Sequence, residues 1–329
     1  MSESIGKPSQ RAIVPTTLDG VRLDVALTRL FPSLSRRQAQ LLCESGQVEV
    51  GSRRSKKSDL ARAGELVILT PSTPKIAAPI PGPLDLRLVT DHWVVVAKPA
   101  AVHTAPRDGI EGGTIANALA AAFPEMRSIG HHPLEPGLLH RLDTGTSGLL
   151  VAARSQQAFE LGTRALKQSL WTKTYFAVVA RGRLPSSGEL TGALVSDPKH
   201  PKRVRLDGDF QLTELPSESE RQFPLGPFVT RFTTVRESED TSLLEVTVGP
   251  AFRHQIRAHC AAAGAPLLND VVYGAPADAR LSSSRHALHA ARVAWVGESF
   301  LTGFDVIEPL PLDLSGLFER GDDGSRSSG

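Results

Sequence analysis

The stretch Gly137-Leu138-Leu139-His140-Arg141-Leu142-Asp143-Thr144-Gly145-Thr146-Ser147-Gly148-Leu149-Leu150 decides how this chain is read. Its one carboxylate, Asp143, lies between an apolar flank and the turn Gly145-Thr146-Ser147-Gly148. The turn leads into Gly148 to Ala153, an unbroken apolar run that reads as a buried strand. Gly145 and Gly148 permit tight turns and close approach of a ligand. The pattern holds Asp143 at the mouth of a sheet, on a rigid support. A carboxylate so placed is either a local N-cap or a reacting group, and the pattern alone leaves both open.

Outward from this point the signals alternate. Trp93 to Ala97 reads as a second buried strand, and a helix starts at Ser155. Strands are expected near 174–181, 227–236, 242–249 and 287–296, and a helix from about His254. Neighbouring strands joined by hairpin-length turns predict an α+β domain over 86–315, with a largely antiparallel mixed sheet rather than a doubly wound one.

A smaller unit precedes it over 15–72. Leu23, Ala26, Leu27, Leu30 and Phe31 recur at helical spacing. Ser35 to Gln38 reads as a capping box opening a helix that turns Ala39, Leu42 and Cys43 inward and stops at Gly46. Val48 and Val50 alternate as a short strand, and Leu66 to Leu69 is a second. Residues 1–14 are polar and expected to be disordered, as is the tail 316–329, while the proline-rich 73–85 reads as a semi-rigid linker.

Composition narrows the function classes. Hydrophobic residues make up 40% of 329, enough for a packed core, with no apolar run long enough for a transmembrane helix and no signal-peptide core at the N-terminus. Cys43 and Cys260 fall inside amphipathic helical patterns and read as buried free thiols in a reducing, cytoplasmic setting. The net charge of +2 hides an asymmetry: residues 1–75 hold 12 Lys and Arg against 7 Asp and Glu, the remainder 25 against 28. A basic module on a near-neutral body points to a polyanion partner. The histidines show no zinc spacing, and no glycine-rich loop matches a nucleotide fingerprint, so no metal or cofactor is expected.

Two families resemble the central string. Asp143-Thr-Gly-Thr-Ser147 matches the active-site turn of pepsin-like aspartic peptidases, but those enzymes need two carboxylates sharing a proton, and no second Asp-Thr/Ser-Gly exists here. The longer match is His140-Arg-Leu-Asp-x-x-Thr-Ser-Gly-Leu-Leu, which resembles the central motif of RluA-type pseudouridine synthases. Other stretches resemble that family in the right order: Val95-Val-Ala-Lys98-Pro99, Lys173-Thr-Tyr175-Phe-Ala177, His254-Gln-Ile-Arg257-Ala-His259 with Gly264-Ala-Pro266 and Tyr273-Gly274, and Leu288-His289-Ala290. One departure stands out. The family usually has Thr-Gly-Arg-Thr before His-Gln-Ile-Arg, whereas here Ala251, Phe252 and Arg253 occupy that stretch. The N-terminal unit resembles the S4 RNA-binding domain through Arg22-Leu-Asp24, Leu34-Ser-Arg-Arg37, Gly46-Gln-Val48, Val50, the basic run Arg53 to Lys57, and Gly64-Glu65.

The resemblance implies a fold, an activity and a site. It implies isomerisation of uridine to pseudouridine in RNA, mostly large-subunit ribosomal RNA and in some members transfer RNA, by a monomer that needs no cofactor. Asp143 would be the essential carboxylate, Arg257 its ionic partner, Tyr175 the ring against the uracil, and Arg141 the side chain that fills the gap left by the flipped base. Lys98 would contact phosphate or support the Asp143 loop. Arg36, Arg37, Arg53, Arg54, Lys56 and Lys57 would form the RNA face of the S4 unit. The rival is an RNA-binding or ribosome-assembly factor that kept the fold without catalysis; the presence of Asp143, Tyr175 and Arg257 together argues against it.

Overall fold

The computed structural model describes residues 9–32, 34–44, 46–51, 53–69, 76–107, 111–215, 226–298 and 301–319; for Arg37, Gln38, Leu41, Arg53 and Arg54 it describes the backbone alone. Two compact units divide the chain, Met1–Lys75 and Ile76–Gly329.

The first unit contains strand β1 (Gln10–Ile13), helices α1 (Leu23–Leu30) and α2 (Arg36–Glu44), and strands β2 (Val48–Val50), β3 (Arg53–Arg54) and β4 (Leu66–Leu69). The strands pair antiparallel in the order β1-β4-β2-β3. Helix α1 forms where Leu23, Ala26 and Leu27 share one face, and that face is buried together with Phe31 just beyond it. Helix α2 starts directly after Ser35, buries Ala39 and Cys43, and ends before Gly46, whose φ of +69° takes the left-handed turn that glycine permits. The Gln38 side chain of the expected capping box lies outside the described residues.

Strand β1 corrects the expected disorder of residues 1–14: Gln10–Ile13 pairs with β4, and Val14 is buried behind it. Its residues are mostly exposed, so backbone hydrogen bonds rather than an apolar alternation hold it, and periodicity could not reveal it.

The second unit comprises β5 (Asp85–Val89), β6 (Trp93–Lys98), α3 (Ile115–Ala122), β7 (Ser147–Ala153), α4 (Gln156–Lys167), β8 (Trp171–Ala180), β9 (Ser187–Thr191), β10 (Leu194–Ser196), β11 (Val204–Leu206), β12 (Gln211–Thr213), β13 (Val229–Glu237), β14 (Thr241–Val248), α5 (Gln255–Ala262), β15 (Leu288–Glu298), β16 (Leu301–Ile307) and α6 (Leu312–Ser315). Ten strands form one sheet in the order β12-β9-β13-β14-β8-β15-β7-β6-β5, with β16 pairing β15. The β15–β7 pairing is parallel and the others antiparallel, so the fold is the α+β, largely antiparallel mixed sheet expected from the sequence. All three tryptophans meet in its core: Trp171 and Trp295 stack at 5.5 Å, and Trp93 stands edge-on to Trp171 at 5.8 Å.

The parallel pair positions the site. His289 lies opposite Ser147, so the segments entering β7 and β15 arrive at the same end of the sheet. Strand β8 brings Tyr175 beside Ala290 and Val246. Gly148 has φ +109°, and a Cβ there would run into the backbone oxygen of Ala290, so only glycine lets β7 approach β15 this closely.

Two boundaries differ from expectation. Residues 76–84 are no free linker: Ala77 is buried with its N–H on Pro133 O, and Asn117 Nδ2 donates to Ala78 O. Residues 70–75 lie outside the described residues. At the other end Leu317 and Phe318 are buried in a short 3-10 turn after α6, so order continues past 315, anchored by two apolar side chains too few to show a period.

Candidate active site

Asp143 sits in the segment between Leu138 and β7, and three sets of hydrogen bonds fix that segment. Thr104 Oγ1 donates to Leu142 O at 2.7 Å and accepts from Leu142 N. The Lys98 ammonium, 1% exposed, donates to Pro99 O and Val102 O at 2.8 Å and to Thr144 O at 3.2 Å. Arg285, also buried, donates to Gly145 O and to Ser147 Oγ. Of the two roles expected for Lys98, support of the Asp143 loop fits this geometry; a side chain this covered does not reach a phosphate. Burial, then the Arg285 charge, pushes Lys98 down to about 7, with Asp143 opposing. Gly145 packs so closely that a Cβ would meet His286 Nδ1 and Ser284 O, both at 2.6 Å.

Arg257 and Asp143 are 114 positions apart in the chain and meet at 2.8 Å. The first turn of α5 carries Arg257 there, its side chain 6% exposed. A second carboxylate holds the guanidinium from behind: Asp270, 1% exposed, takes two hydrogen bonds, from Nε at 2.7 Å and Nη2 at 2.8 Å. The guanidinium also lies 5.0 Å from the centre of the Tyr273 ring.

His254 precedes α5 with φ +56°, which points its ring back at the site. Its Nε2 lies 3.5 Å from Asp143 Oδ1, and its Nδ1 is 3.0 Å from Tyr273 Oη. Val204 N donates to that same phenol oxygen. The phenol proton is thus free to go to His254 Nδ1, which leaves the Nε2 proton facing Asp143. Asp143 therefore has Arg257 on one oxygen and His254 on the other.

Burial works to raise the Asp143 pKa, but His254, Arg257 and His286 outweigh it and hold the group below the ordinary carboxylate range. His254 itself is pushed down to about 4 and His286 to about 3, chiefly by burial, so both are neutral near pH 7. The cation that keeps Asp143 ionised there is Arg257.

Asp143 opens into a cleft of about 1180 Å³. Tyr175, 8% exposed, lines it together with Ile256 and Leu288, and burial and then the Asp143 charge raise its phenol pKa, which keeps it protonated. Arg141 lines the cleft at the rim, 62% exposed, with Nη1 2.7 Å from Glu135 Oε1. Arg107, Lys202 and Arg253 are exposed lining residues as well, so the mouth is basic. The cleft can take a planar, neutral base against Tyr175 with its polyanionic backbone outside.

The structure thus brings Asp143, Arg257, Tyr175 and Arg141 to one cleft. Sequence reasoning gave no role to Asp270, His254 or Tyr273. His254 and Tyr273 stood inside quoted motifs, while Asp270 is contributed by a loop with no local pattern. The departure at 251–253 places Phe252 on the cleft wall and ties Arg253 to Pro201 O at 3.0 Å. Among the described residues no three His, Cys, Asp or Glu side chains gather as metal ligands, and no helix is long and apolar enough to cross a membrane. Both cysteines are free and buried, which pushes Cys43 up to about 11 and Cys260 to about 12.

In the first unit, Asp24 is fully buried and accepts from Arg22 at 3.1 Å, Arg36 at 3.2 Å and Gln40 at 2.8 Å. The Arg22 bond foremost holds its carboxyl well below the usual range. Arg22, which sequence reasoning left without an RNA role, and Arg36 are thereby fixed as an exposed basic pair. Lys56 is exposed, and Lys57 is half-exposed with Glu44 at 2.6 Å. The side chains of Arg37, Arg53 and Arg54 lie outside the described residues.

The family model for RNA pseudouridylate synthase matches residues 92–262, and that for the S4 domain residues 21–67. An uncharacterized RNA pseudouridine synthase of Mycobacterium bovis is 34% identical over 92% of this chain and 94% of its own. A ribosomal large subunit pseudouridine synthase D of Neisseria meningitidis is 30% identical over 96% of this chain and 84% of its own. The solved structure of human RNA pseudouridylate synthase domain containing 1 shares the fold, with a TM-score of 0.50 and 20% identity over 70% of this chain and 86% of that one. Fold, cleft and sequence agree that this chain belongs to the RNA pseudouridine synthase family and carries an S4 domain ahead of the catalytic one.

Proposed function

We propose that this enzyme converts uridine to pseudouridine in large-subunit ribosomal RNA, acting as a cytoplasmic monomer with Asp143 as its catalytic carboxylate. The observation that carries the reading is Asp143 held at 2.8 Å by the buried Arg257 and facing a cleft lined by Tyr175, with exposed basic side chains at its mouth. Whether its oxygen attacks the ribose or removes a ribose proton, Asp143 must act as the anion, and the permanent charge of Arg257 keeps it so.

The base has to leave its stack before it can detach, turn and rejoin through C5, which costs a few kcal/mol. Basic side chains at the mouth offset part of that cost through phosphate contacts. Arg141 gives up only an exposed ion pair, worth about 0–1 kcal/mol, when it moves into the vacated stack. Tyr175 offers the flipped uracil a ring face inside the cleft, and its protonated phenol serves as donor. The exposed cations Arg36, Lys56 and Lys57 of the S4 unit, with Arg37, Arg53 and Arg54, add sequence-independent grip on folded RNA.

The large-subunit target rests on the Neisseria relative, whose name assigns it to that RNA. The test is to incubate the protein with transcribed large-subunit ribosomal RNA and, separately, with transfer RNA, and to map pseudouridine. Conversion confined to the first supports the proposal. Conversion confined to transfer RNA overturns the target, and none in either overturns the activity in favour of an RNA-binding factor.

A further inference from the structure

Lys173 stands apart from the other buried cations of the described residues. It is 7% exposed, lines the cleft, and its ammonium has no hydrogen bond or ion pair with any described residue. The contrast with the other buried cations is plain: Lys98 has three carbonyl acceptors, Arg257 two carboxylates, and Arg285 Asp313 and several carbonyls. A largely buried charge with no protein partner works against folding, even where its tip reaches an open cleft. The fold keeps Lys173 nonetheless, on the strand face it shares with Tyr175 two residues on. That face looks into the cleft that holds Asp143.

We propose that Lys173 is a further catalytic residue, whose ammonium donates a hydrogen bond to a carbonyl oxygen of the flipped uracil and stabilises the base while it is detached. The inference rests on the pseudouridine synthase reading above. When the bond between ribose C1′ and uracil N1 breaks, its electron pair stays with the base. The detached uracil is then an anion whose charge spreads onto its two carbonyl oxygens. When C5 bonds to C1′ the pair returns; the proton then leaves C5 and N1, which carried none in uridine, takes one up, so nothing is gained or lost overall. Asp143 and Arg257 serve the sugar; among the residues so far given roles, none supplies a positive charge to the base. A preformed donor in a water-poor site, aimed where charge develops, is the arrangement that stabilises such a species most.

The surroundings make Lys173 titratable in an accessible range. Burial pushes it down to about 8, so it is charged at neutral pH and loses its proton as pH rises through that value. The titratable and charged groups lining the cleft with it are His103, Glu135, His140, Asp143, Tyr175, His254 and His286, with Arg107, Arg141, Lys202, Arg253 and Arg257; its strand neighbours Val248 of β14 and Val293 of β15 carry none. His140, pushed by burial and then by Lys173 to about 3, is neutral and accepts from Val151 N. Lys98 is the other group placed near this range.

The experiment compares wild type, K173M and K173R in single-turnover conversion of transcribed large-subunit ribosomal RNA from pH 6 to 9, with filter-binding affinity and thermal melting alongside. Removing one such donor costs about 10²–10³-fold in the chemical step. The expected result is that loss for K173M, with RNA affinity within a few-fold and a melting temperature equal to or above wild type. In wild type the rate should fall as pH rises through about 8. K173R should keep most of the rate and lose that fall. K173M turnover within two-fold of wild type overturns the proposal, as does a K173M that melts well below wild type, which would make the charge structural. An alkaline fall that persists in K173R assigns it to Lys98 and overturns the proposal too. An inactive wild type would instead strike the functional reading itself.

Discussion

Replacing Arg257 with alanine should cost both folding and chemistry, and the structure sets the scale. The substitution removes three hydrogen bonds and leaves Asp270, 1% exposed, without its cation, and Asp143 without the charge that holds it ionised. Breaking a buried pair from one side costs about 3–5 kcal/mol, mostly the penalty of the stranded charge. At roughly 2–4 °C per kcal/mol for a domain of this size, melting should drop by about 6–20 °C. Removing the stranded charge as well should recover part of the loss, so R257M/D270N should melt above R257A. The pH dependence has a definite sign. The Asp143 carboxyl is held below its ordinary 3.8, so its share of stability is present above that value and is lost as pH falls toward the folded value. The gap between wild type and R257A should therefore be widest near neutrality and narrow below about pH 4. Urea unfolding of the three proteins at pH 7 and at about pH 3 measures this. An R257A penalty under about 1 kcal/mol, the worth of an exposed pair, would refute the claim that this arginine is the buried keystone of the site.

Arg141 should behave in the opposite way: R141A loses only an exposed pair, so melting should move by less than about 1 kcal/mol equivalent, while single-turnover conversion of structured RNA falls at least ten-fold. A matching loss of stability would make Arg141 structural. In the S4 unit, replacing Lys56 and Lys57 with alanine should weaken RNA binding and lower its salt slope by about 1 for each phosphate no longer neutralised. An unchanged slope in filter binding would remove these residues from the RNA face.

Much of this was legible in the sequence, and the misses have physical reasons. The Asp143 turn, β6, β7 and α5 announced themselves because apolar runs and glycine turns are local signals. The meeting of Asp143 with Arg257 was expected from resemblance alone, since no pattern links positions that far apart. Asp270, and the chain from Val204 of β11 through Tyr273 to His254, links segments far apart in the sequence, and polar contacts of that kind leave no period to read. Helix α3, Ile115-Ala-Asn-Ala-Leu-Ala-Ala-Ala122, escaped because six of its eight residues are buried and it lacks a polar face to set against an apolar one. Strands β9 to β12 are three to five residues long, too short for an alternation to show in the sequence. The role of Lys98 became visible only once its three carbonyl acceptors were seen.

The most direct test is Asp143→Asn, which keeps the shape of the side chain and removes its charge. Single-turnover conversion of transcribed large-subunit ribosomal RNA would be followed by pseudouridine mapping, beside filter binding of the same RNA. Because phosphate contacts dominate affinity, D143N should bind within a few-fold of wild type and form no pseudouridine above background. Wild-type conversion together with measurable turnover by D143N would contradict Asp143 as the reacting carboxylate.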